Sequence, residues 1–347
     1  MTSERERFSP SELTFVLSRY DVGSVLGARE VARGSRRSPK LLLTTTTGRY
    51  ILKRRVESPE RAARAEFAHA LIQHLMLRRF PVASPVRPRG ARETLLIHDG
   101  AVYELFEFVE GEAYDGSLEQ TTNAGQTLAR FHRAISDFDA TWPAARAGYH
   151  DSANVREALY TVPTSAASHD SVAGHEAELL SLTQELHERY DEASTRANEL
   201  GLAEWPPWIV HGDWHPGNLL FRNAHVCAVL DFDSVRMQPR TLDLANAMLQ
   251  FSILRGGGDL EQWPSFFDLT RMRRFYIGYV SRLDLPPDQR RALLPLMIES
   301  VVAESVVPIA LTGSFGQIPG FGLLQVVRRK VRWLLDHADQ IEPWLLE

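Results

Sequence analysis

Two hairpins are predicted in the first third of the chain from its pattern of apolar and polar positions. Residues 40–46 and 50–54 are rich in Thr, Leu and Ile, and the segment Thr47-Gly48-Arg49 between them suits a tight turn. A second pair of apolar runs, Thr94–His98 and Ala101–Val109, is joined by an Asp-Gly dipeptide, which favours hairpin turns. The pattern therefore predicts four strands in two antiparallel pairs.

A helix is predicted between the two hairpins. Over Pro59–Arg78, apolar side chains and one histidine recur at spacings of three and four, which is the period of an amphipathic helix. The residues of this stripe are Ala63, Phe67, Ala70, Leu71, His74 and Leu75. Two prolines, Pro81 and Pro85, end the pattern. The order strand, strand, helix, strand, strand predicts a compact α+β lobe that finishes near Gly111.

The rest of the chain has a mainly helical pattern. One apolar stripe is formed by Ala124, Leu128, Phe131, His132 and Ile135, and residues 174–200 predict a long helix. A buried strand is predicted over His225–Phe232. The most apolar stretch, Leu293–Leu311, has the length of a membrane span, but it contains Glu299, Glu304 and Pro308. It therefore predicts a buried helix in a large lobe.

Length and charge narrow the class of protein. A chain of 347 residues exceeds what one hydrophobic core usually supports, so two lobes with a cleft between them are expected. The formal net charge of −5, with no long block of one sign, indicates neither a nucleic acid nor a membrane as the main partner. Met1–Pro10 is polar where a signal peptide needs an apolar core, so we expect a cytoplasmic protein.

Two short segments carry the chemistry. Residues 209–218 read I-V-H-G-D-W-H-P-G-N, and residues 228–233 read A-V-L-D-F-D. Phosphoryl transfer needs an Asp that orients the attacking hydroxyl and accepts its proton, and this pattern offers Asp213. Mg²⁺ prefers oxygen ligands, and Asn218 and Asp231 supply an amide and a carboxylate.

These segments resemble the aminoglycoside phosphotransferase, choline kinase and homoserine kinase superfamily, which is related to the protein kinases. The catalytic loop of that family reads His-Gly-Asp, four residues, then Asn, and its metal-binding segment reads Asp-Phe-Asp or a close variant. The resemblance implies a bilobal protein-kinase-like α+β fold, with a small antiparallel β N-lobe carrying one helix and a large, mainly α C-lobe. It implies a nucleotide-binding lobe over residues 1–106 and a helical lobe with the catalytic loop and acceptor subdomain over residues 107–347.

The resemblance also implies roles for single residues. Asp213 would be the catalytic base, and Asn218 and Asp231 would bind Mg²⁺. Lys53 would pair with the α- and β-phosphates of ATP. In the nucleotide loop, Gly34 is the single glycine, and this loop is similar to that of homoserine kinase members of the family.

By the same resemblance, Lys53 would need a carboxylate partner. The segment that joins the two lobes, called the hinge, would bind adenine through its backbone groups. Glu66 is the first candidate partner, with Glu57 and Glu60 as rivals. The hinge is expected at Glu107 and Val109, whose backbone groups would meet the adenine edge.

Three further residues are given candidate roles, and the role of Asp233 is left open. Asp233 is a candidate metal ligand, but it could instead contact the acceptor or support the loop. Asp243 is interpreted as an acceptor for backbone N–H groups at the start of a helix. Trp214, between the catalytic residues, is a candidate contact for the acceptor.

The sequence thus predicts an ATP- and Mg²⁺-dependent phosphotransferase that acts on a hydroxyl of a small molecule. Homoserine or another amino alcohol is the first candidate acceptor, followed by aminoglycosides and sugars. The alternatives are a protein kinase and a non-catalytic nucleotide-binding scaffold. The Asp-Phe-Asp segment and the lack of an Ala-Pro-Glu segment speak against the protein kinase.

Overall fold

The structure of the protein is a computed structural model that describes residues 6–31, 38–56, 58–139, 148–167, 172–254 and 256–347. The strands are β1 (Val25–Glu30), β2 (Lys40–Thr45), β3 (Arg49–Val56), β4 (Leu95–His98), β5 (Ala101–Glu107), β6 (Trp208–Val210), β7 (Leu219–Arg222), β8 (His225–Val229), β9 (Arg236–Gln238), β10 (Ser314–Phe315) and β11 (Ile318–Pro319). The α-helices are α1 (Pro10–Ser18), α2 (Pro59–Leu77), α3 (Leu118–Ala134), α4 (Ala153–Ala167), α5 (Glu176–Glu199), α6 (Arg240–Ser252), α7 (Leu269–Val280), α8 (Pro287–Arg291), α9 (Leu293–Thr312), α10 (Gly320–Asp336) and α11 (Ala338–Leu346).

The chain divides into two compact units. The first unit takes the described residues within 1–113, 137–142 and 218–234, and the second takes the rest. This division differs from the predicted boundary at residues 106 and 107, because the hairpin β7–β8 belongs to the first unit. Glu112 and Phe221 exchange backbone hydrogen bonds of 2.8 and 2.9 Å, and the Val229 N–H donates to the Pro81 carbonyl at 2.9 Å.

An antiparallel five-stranded sheet forms the centre of the first unit, in the order β1-β2-β3-β5-β4. Both predicted hairpins are confirmed, and their inward side chains, such as Leu43, Leu52 and Leu105, form the core with Tyr20 from the segment after α1. Strand β1 was not predicted, because all six of its residues are exposed and show no alternation.

Helix α2 has the predicted position but a different buried face. Ala63 and Ala70 of the predicted stripe are exposed. Leu71 and Leu75 are buried as predicted, but the other buried residues of α2 are Ala65, Ala68, His69 and Ile72. His69 turns inward because its two ring nitrogens lie 2.5 Å from Thr94 Oγ1 and 2.9 Å from Glu104 Oε1. A buried polar partner therefore fixes the rotation of this alanine-rich helix.

Helices dominate the second unit, as predicted. Helices α3 and α7 approach closely at two glycines: a Cβ added to Gly125 would lie 2.1 Å from the Phe275 carbonyl oxygen, and one added to Gly278 would lie 2.2 Å from that of Thr122. The apolar stretch that resembles a membrane span is α9. Within the described chain, the helical segment 287–312 is long and apolar enough to cross a membrane, but most of it is buried in the protein. This confirms the prediction of a core helix.

Candidate active site

Two of the predicted metal ligands, Asn218 and Asp231, lie at the same end of the hairpin β7–β8 in the first unit. Leu219 pairs with Val229, and the Leu230 N–H donates to the carbonyl of Asn218 at 2.9 Å. Asn218 lies just before β7, and Asp231 lies just after β8. Asn218 is therefore next to Leu230, the residue that precedes Asp231. Asn218 is buried, with 8% of its surface exposed.

Asp231 has two features that are typical of a functional residue. Its φ of 62° lies in the left-handed region, which is strained for a residue other than glycine. Its Oδ1 atom is buried and accepts no hydrogen bond from the described residues. A buried carboxylate oxygen without a donor is costly, and the nearest ammonium, that of Lys53, lies 3.6 Å from Oδ1, beyond hydrogen-bond distance. Asn218 and Asp231 therefore fit Mg²⁺, whose other ligands would be phosphate and water oxygens.

Lys53 lies beside this carboxylate. Its Nζ atom is 3.6 Å from Asp231 Oδ1, and the Nζ atom of Lys40 is 3.7 Å from Asp231 Oδ2. Burial lowers the pKa of Lys40, and the neighbouring charge of Lys53 acts in the same direction. The structure thus places Lys53 beside Asp231 of the predicted metal-binding segment, and its role toward the phosphates stays a prediction.

Asp233 makes an ion pair with Arg55. The guanidinium donates to Asp233 Oδ1 at 2.7 Å, and its second amino group lies 2.6 Å from Oδ2. Burial opposes the ionisation of Asp233, but Lys53 and Arg55 together hold its pKa below the usual range. Of the interpretations open for Asp233, this geometry favours support of the loop, because both oxygens already face Arg55.

The predicted partner of Lys53 is not brought to it. Glu66 is exposed on α2, and the ion pairs of the described residues do not join it to Lys53. Glu60 pairs with Arg64 at 2.6 Å and is also exposed. The other rival, Glu57, lies outside the described residues.

The predicted contacts for the nucleotide base and loop are only partly described. Glu107 ends β5, and its N–H donates to the Ser84 carbonyl at 2.9 Å, which leaves its own carbonyl as the group available to adenine. Val109 follows β5 outside regular secondary structure and is half-buried. Both stay predictions for the hinge. Gly34 lies outside the described residues.

The predicted catalytic loop of the second unit is anchored by Asp243. Its carboxylate accepts the backbone N–H groups of His211, at 3.0 Å, and Gly212, at 2.9 Å. Arg236 donates to the Gly212 carbonyl at 2.7 Å, and Gly212 has a φ of 72°, which glycine adopts without strain. Asp243 is thus an acceptor for backbone N–H groups, as predicted, but these groups belong to the catalytic loop and not to a helix start.

His132 of α3 completes this anchor, and sequence reasoning had placed it only in an apolar stripe. Its Nε2 lies 3.2 Å from Asp243 Oδ2 and its Nδ1 2.9 Å from the Tyr279 hydroxyl. Burial lowers the pKa of His132, so the ring is neutral and donates from Nε2. Burial opposes the ionisation of Asp243, but the hydrogen bonds from His132 and Gly212 hold its pKa below the usual range.

Asp213 itself keeps contact with solvent. Its side chain is 45% exposed, and Oδ2 lies 3.6 Å from His215 Nε2. The Gly217 N–H donates to His215 Nδ1 at 3.0 Å, so the proton of the neutral ring is on Nε2 and faces Asp213. A fixed backbone with an accessible carboxylate suits a base that receives a proton from a bound hydroxyl.

Trp214 does not face an acceptor. It is fully buried and packs against Phe131 and His211 at ring distances of 6.1 and 5.4 Å. The interpretation of Trp214 as an acceptor contact is therefore wrong. The buried indole ring instead packs under the loop that carries it and supports that loop.

A carboxylate on α9 lies in the electrostatic field of Asp213. Glu304 accepts hydrogen bonds from the side-chain amides of Asn246 and Gln250 on α6. Although solvent reaches Glu304, the surrounding protein desolvates its carboxyl group and raises its pKa to about 7, and the charge of Asp213 acts in the same direction. The neighbouring His215 acts in the opposite direction and lowers the pKa of Glu304, but burial outweighs it.

Comparison with known proteins places this chain in a family. The model of the phosphotransferase enzyme family matches residues 28–275. A homoserine kinase of Caulobacter sp. (strain K31) is 26% identical over 295 residues, covering 81% of this chain and 80% of that protein.

Solved structures show the same fold. An aminoglycoside phosphotransferase from Alicyclobacillus acidocaldarius has a TM-score of 0.70 at 20% identity and covers 99% of both chains. An amicoumacin kinase in complex with AMP-PNP and Ca²⁺ has a TM-score of 0.66 at 14% identity and covers 93% of both. The α+β fold predicted from the sequence is confirmed. With a family match over more than half of its length, the chain belongs to the phosphotransferase enzyme family.

Proposed function

We propose that this protein is a kinase that transfers the γ-phosphate of ATP, in the presence of Mg²⁺, to the hydroxyl of a small amino alcohol. The observation that carries the proposal is the arrangement of Asn218, Asp231 and Lys53 in the first unit. A buried carboxylate oxygen without a hydrogen-bond donor lies there 3.6 Å from a lysine, beside a buried amide. Mg²⁺ held by Asn218 and Asp231 would neutralise charge on the phosphates.

Each protein group has a defined part in this reaction. Asp213 orients the acceptor hydroxyl and takes its proton as the oxygen attacks the γ-phosphorus. The new O–P bond forms while the bond from the γ-phosphorus to the β–γ bridging oxygen breaks, and ADP leaves. Lys53 binds the α- and β-phosphates. Asp243 holds the loop so that Asp213 keeps its orientation.

The acceptor class is proposed from charge and from the homoserine kinase relative. Glu304 and Asp213 place two carboxylates in mutual electrostatic reach in the second unit. An ammonium group on the acceptor would relieve the repulsion between them and would replace water at Glu304. Homoserine, which carries both a hydroxyl and an ammonium group, is therefore the first candidate, ahead of neutral sugars.

The test is ATP consumption with Mg²⁺ against homoserine, choline, ethanolamine, serine and aminoglycosides. We expect one strong acceptor, and Asp213→Asn should lower its turnover by about 10²- to 10⁴-fold. The matched control is Asp336→Asn, on an exposed part of α10, which should leave turnover unchanged.

Two results would contradict the proposal. A wild-type protein that neither binds nor consumes ATP would exclude the kinase reaction. Phosphate incorporation into peptides but into none of the small alcohols would favour the protein kinase alternative. The amine requirement is tested separately with 4-hydroxybutanoate, which keeps the hydroxyl and carboxylate of homoserine but lacks its ammonium; equal kcat/KM for the two would refute the acceptor class alone.

A further inference from the structure

Charged residues form a row across the sheet of the first unit. Lys40 on β2 is paired with Lys53 on β3, and Lys53 is paired with Glu104 on β5. Directly paired residues on neighbouring strands point to the same face. Arg55, two positions after Lys53, points to that face as well. Three cations and one carboxylate therefore share the face that meets Asp231 and Asp233.

Glu104 is the buried centre of this group. Only 2% of its surface is exposed, and it receives a hydrogen bond from Arg55 Nε and lies 2.9 Å from His69 Nε2. Burial opposes its ionisation, but Arg55, His69 and Lys53 outweigh this effect and lower the pKa of Glu104 to about 2. Glu104 is therefore a fixed anion at neutral pH.

Arg55 binds a different carboxylate with each edge of its guanidinium group. Its Nε is bound to Glu104, while its two terminal amino groups face both oxygens of Asp233 at 2.6–2.7 Å. A guanidinium binds carboxylate and phosphate with the same two-pronged geometry. The edge that now faces Asp233 thus has the shape and charge to bind two phosphate oxygens.

We propose that Arg55 is a second phosphate-binding cation beside Lys53, and that Glu104, which binds Arg55 and lies opposite Lys53 on the paired strand, serves these cations in place of a carboxylate of α2. The proposal rests on the proposed ATP-dependent function. When the nucleotide binds, the terminal amino groups of Arg55 exchange Asp233 for phosphate oxygens, while Nε stays on Glu104. Helix α2 is tied to the site through His69 and not through the exposed Glu66.

The experiment measures nucleotide binding without an acceptor, with Mg²⁺ present. Titration calorimetry gives the Kd of ADP, and ligand-observed NMR gives that of adenosine, which lacks phosphates. Loss of one charge-assisted contact predicts that Arg55→Met weakens ADP by about tenfold or more and adenosine by less than about twofold. Arg55→Lys, which keeps the charge without the fork, should recover part of the loss. Glu104→Gln should show the same selective loss of ADP.

Controls separate a positioning role from a structural one. Glu93→Gln, which neutralises an exposed carboxylate of the same unit, should leave both ligands unchanged. Equal weakening of adenosine and ADP in the Arg55 variants would overturn the proposal, because it would indicate a general loss of structure. Loss of ADP binding in Glu66→Gln but not in Glu104→Gln would return the anchor to α2 and would also overturn it.

Three further outcomes keep the test decisive. If Glu104→Gln does not fold, the Arg55→Met and Arg55→Lys pair alone decides whether Arg55 binds phosphate. If the wild-type protein binds ADP and the Arg55 variants bind it equally well, this inference is wrong and the proposed kinase function stands. A wild-type protein without affinity for ADP would refute the proposed function, and the inference with it.

Discussion

Replacing the anchor of the catalytic loop is expected to affect turnover more than nucleotide binding. In Asp243→Asn, one of the two carboxylate oxygens becomes an NH₂ group. In the wild-type protein, Oδ1 of Asp243 accepts from Gly212 N–H, and Oδ2 accepts from His211 N–H and His132 Nε2. In either orientation of the amide, one buried backbone N–H faces another donor.

The size of the effect follows from these contacts. A buried N–H without an acceptor costs about 1–3 kcal/mol, and loss of the negative charge weakens the remaining bonds by roughly another 1 kcal/mol. We therefore expect Asp243→Asn to lower the free energy of unfolding by about 2–4 kcal/mol. Displacement of the loop by about 1 Å should lower kcat by about 10²-fold.

Urea unfolding and steady-state kinetics measure the two effects. The Kd of ADP should stay unchanged, because Lys53, Asn218 and Asp231 belong to the first unit. The control is Asp268→Ala, which removes the N-cap that accepts the Arg271 N–H at 3.0 Å and should cost about 1 kcal/mol without a change in kcat. An Asp243→Asn variant that loses stability but keeps the wild-type kcat would refute the role of Asp243 as a positioning residue.

Three further predictions concern stability and pH dependence. Because the pKa of Glu104 falls from 4.5 to about 2 on folding, its contribution of about 3 kcal/mol is present above pH ~4.5 and is lost as the pH falls towards 2. Glu104→Gln should therefore weaken the pH dependence of the urea midpoint between pH 5 and 2. A variant whose midpoint changes with pH as steeply as that of the wild type would contradict this. Gly125→Ala should lower the free energy of unfolding by about 2–3 kcal/mol, since its Cβ would lie 2.1 Å from a carbonyl of α7; Gly257→Ala, where a Cβ meets open space, is the control for urea unfolding. The pKa of Glu304 is raised to about 7, so its carboxylate forms as the pH rises from 6 to 8. The KM for an aminated acceptor should therefore fall over that range, and this pH dependence of KM should disappear in Glu304→Gln. Asp213 and His215 face the same region, so 4-hydroxybutanoate serves as the reference for their titration.

Local sequence patterns predicted the elements whose residues alternate or recur regularly. The hairpins β2–β3 and β4–β5 combine apolar alternation with clear turn residues, and both are confirmed. The rotation of α2 could not be predicted in this way, because alanines on several sides leave its apolar stripe ambiguous. A hydrogen bond from His69 to a strand 35 positions away decides it.

The residues of the candidate site also fall into two groups, those that a local sequence pattern predicts and those that it does not. Asp213, Asn218 and Asp231 lie in two short sequence segments, and the sequence alone predicts them as site residues. The supporting contacts join distant positions: Arg55 and Glu104 are 49 residues apart, and His132 and Asp243 are 111 apart. No local spacing encodes such pairs, because their partners meet only when the sheet and the helices have formed.

The backbone of Asp231 has a consequence for protein engineering. Its left-handed φ of 62° costs about 1 kcal/mol in a residue with a side chain, and glycine would adopt it freely. Heat selection of random variants without a demand for turnover would weigh this strain against the ion pairs of Asp231 with Lys40 and Lys53, and would not weigh the loss of activity. A thermostable version of this enzyme must be selected for stability and catalysis in the same screen.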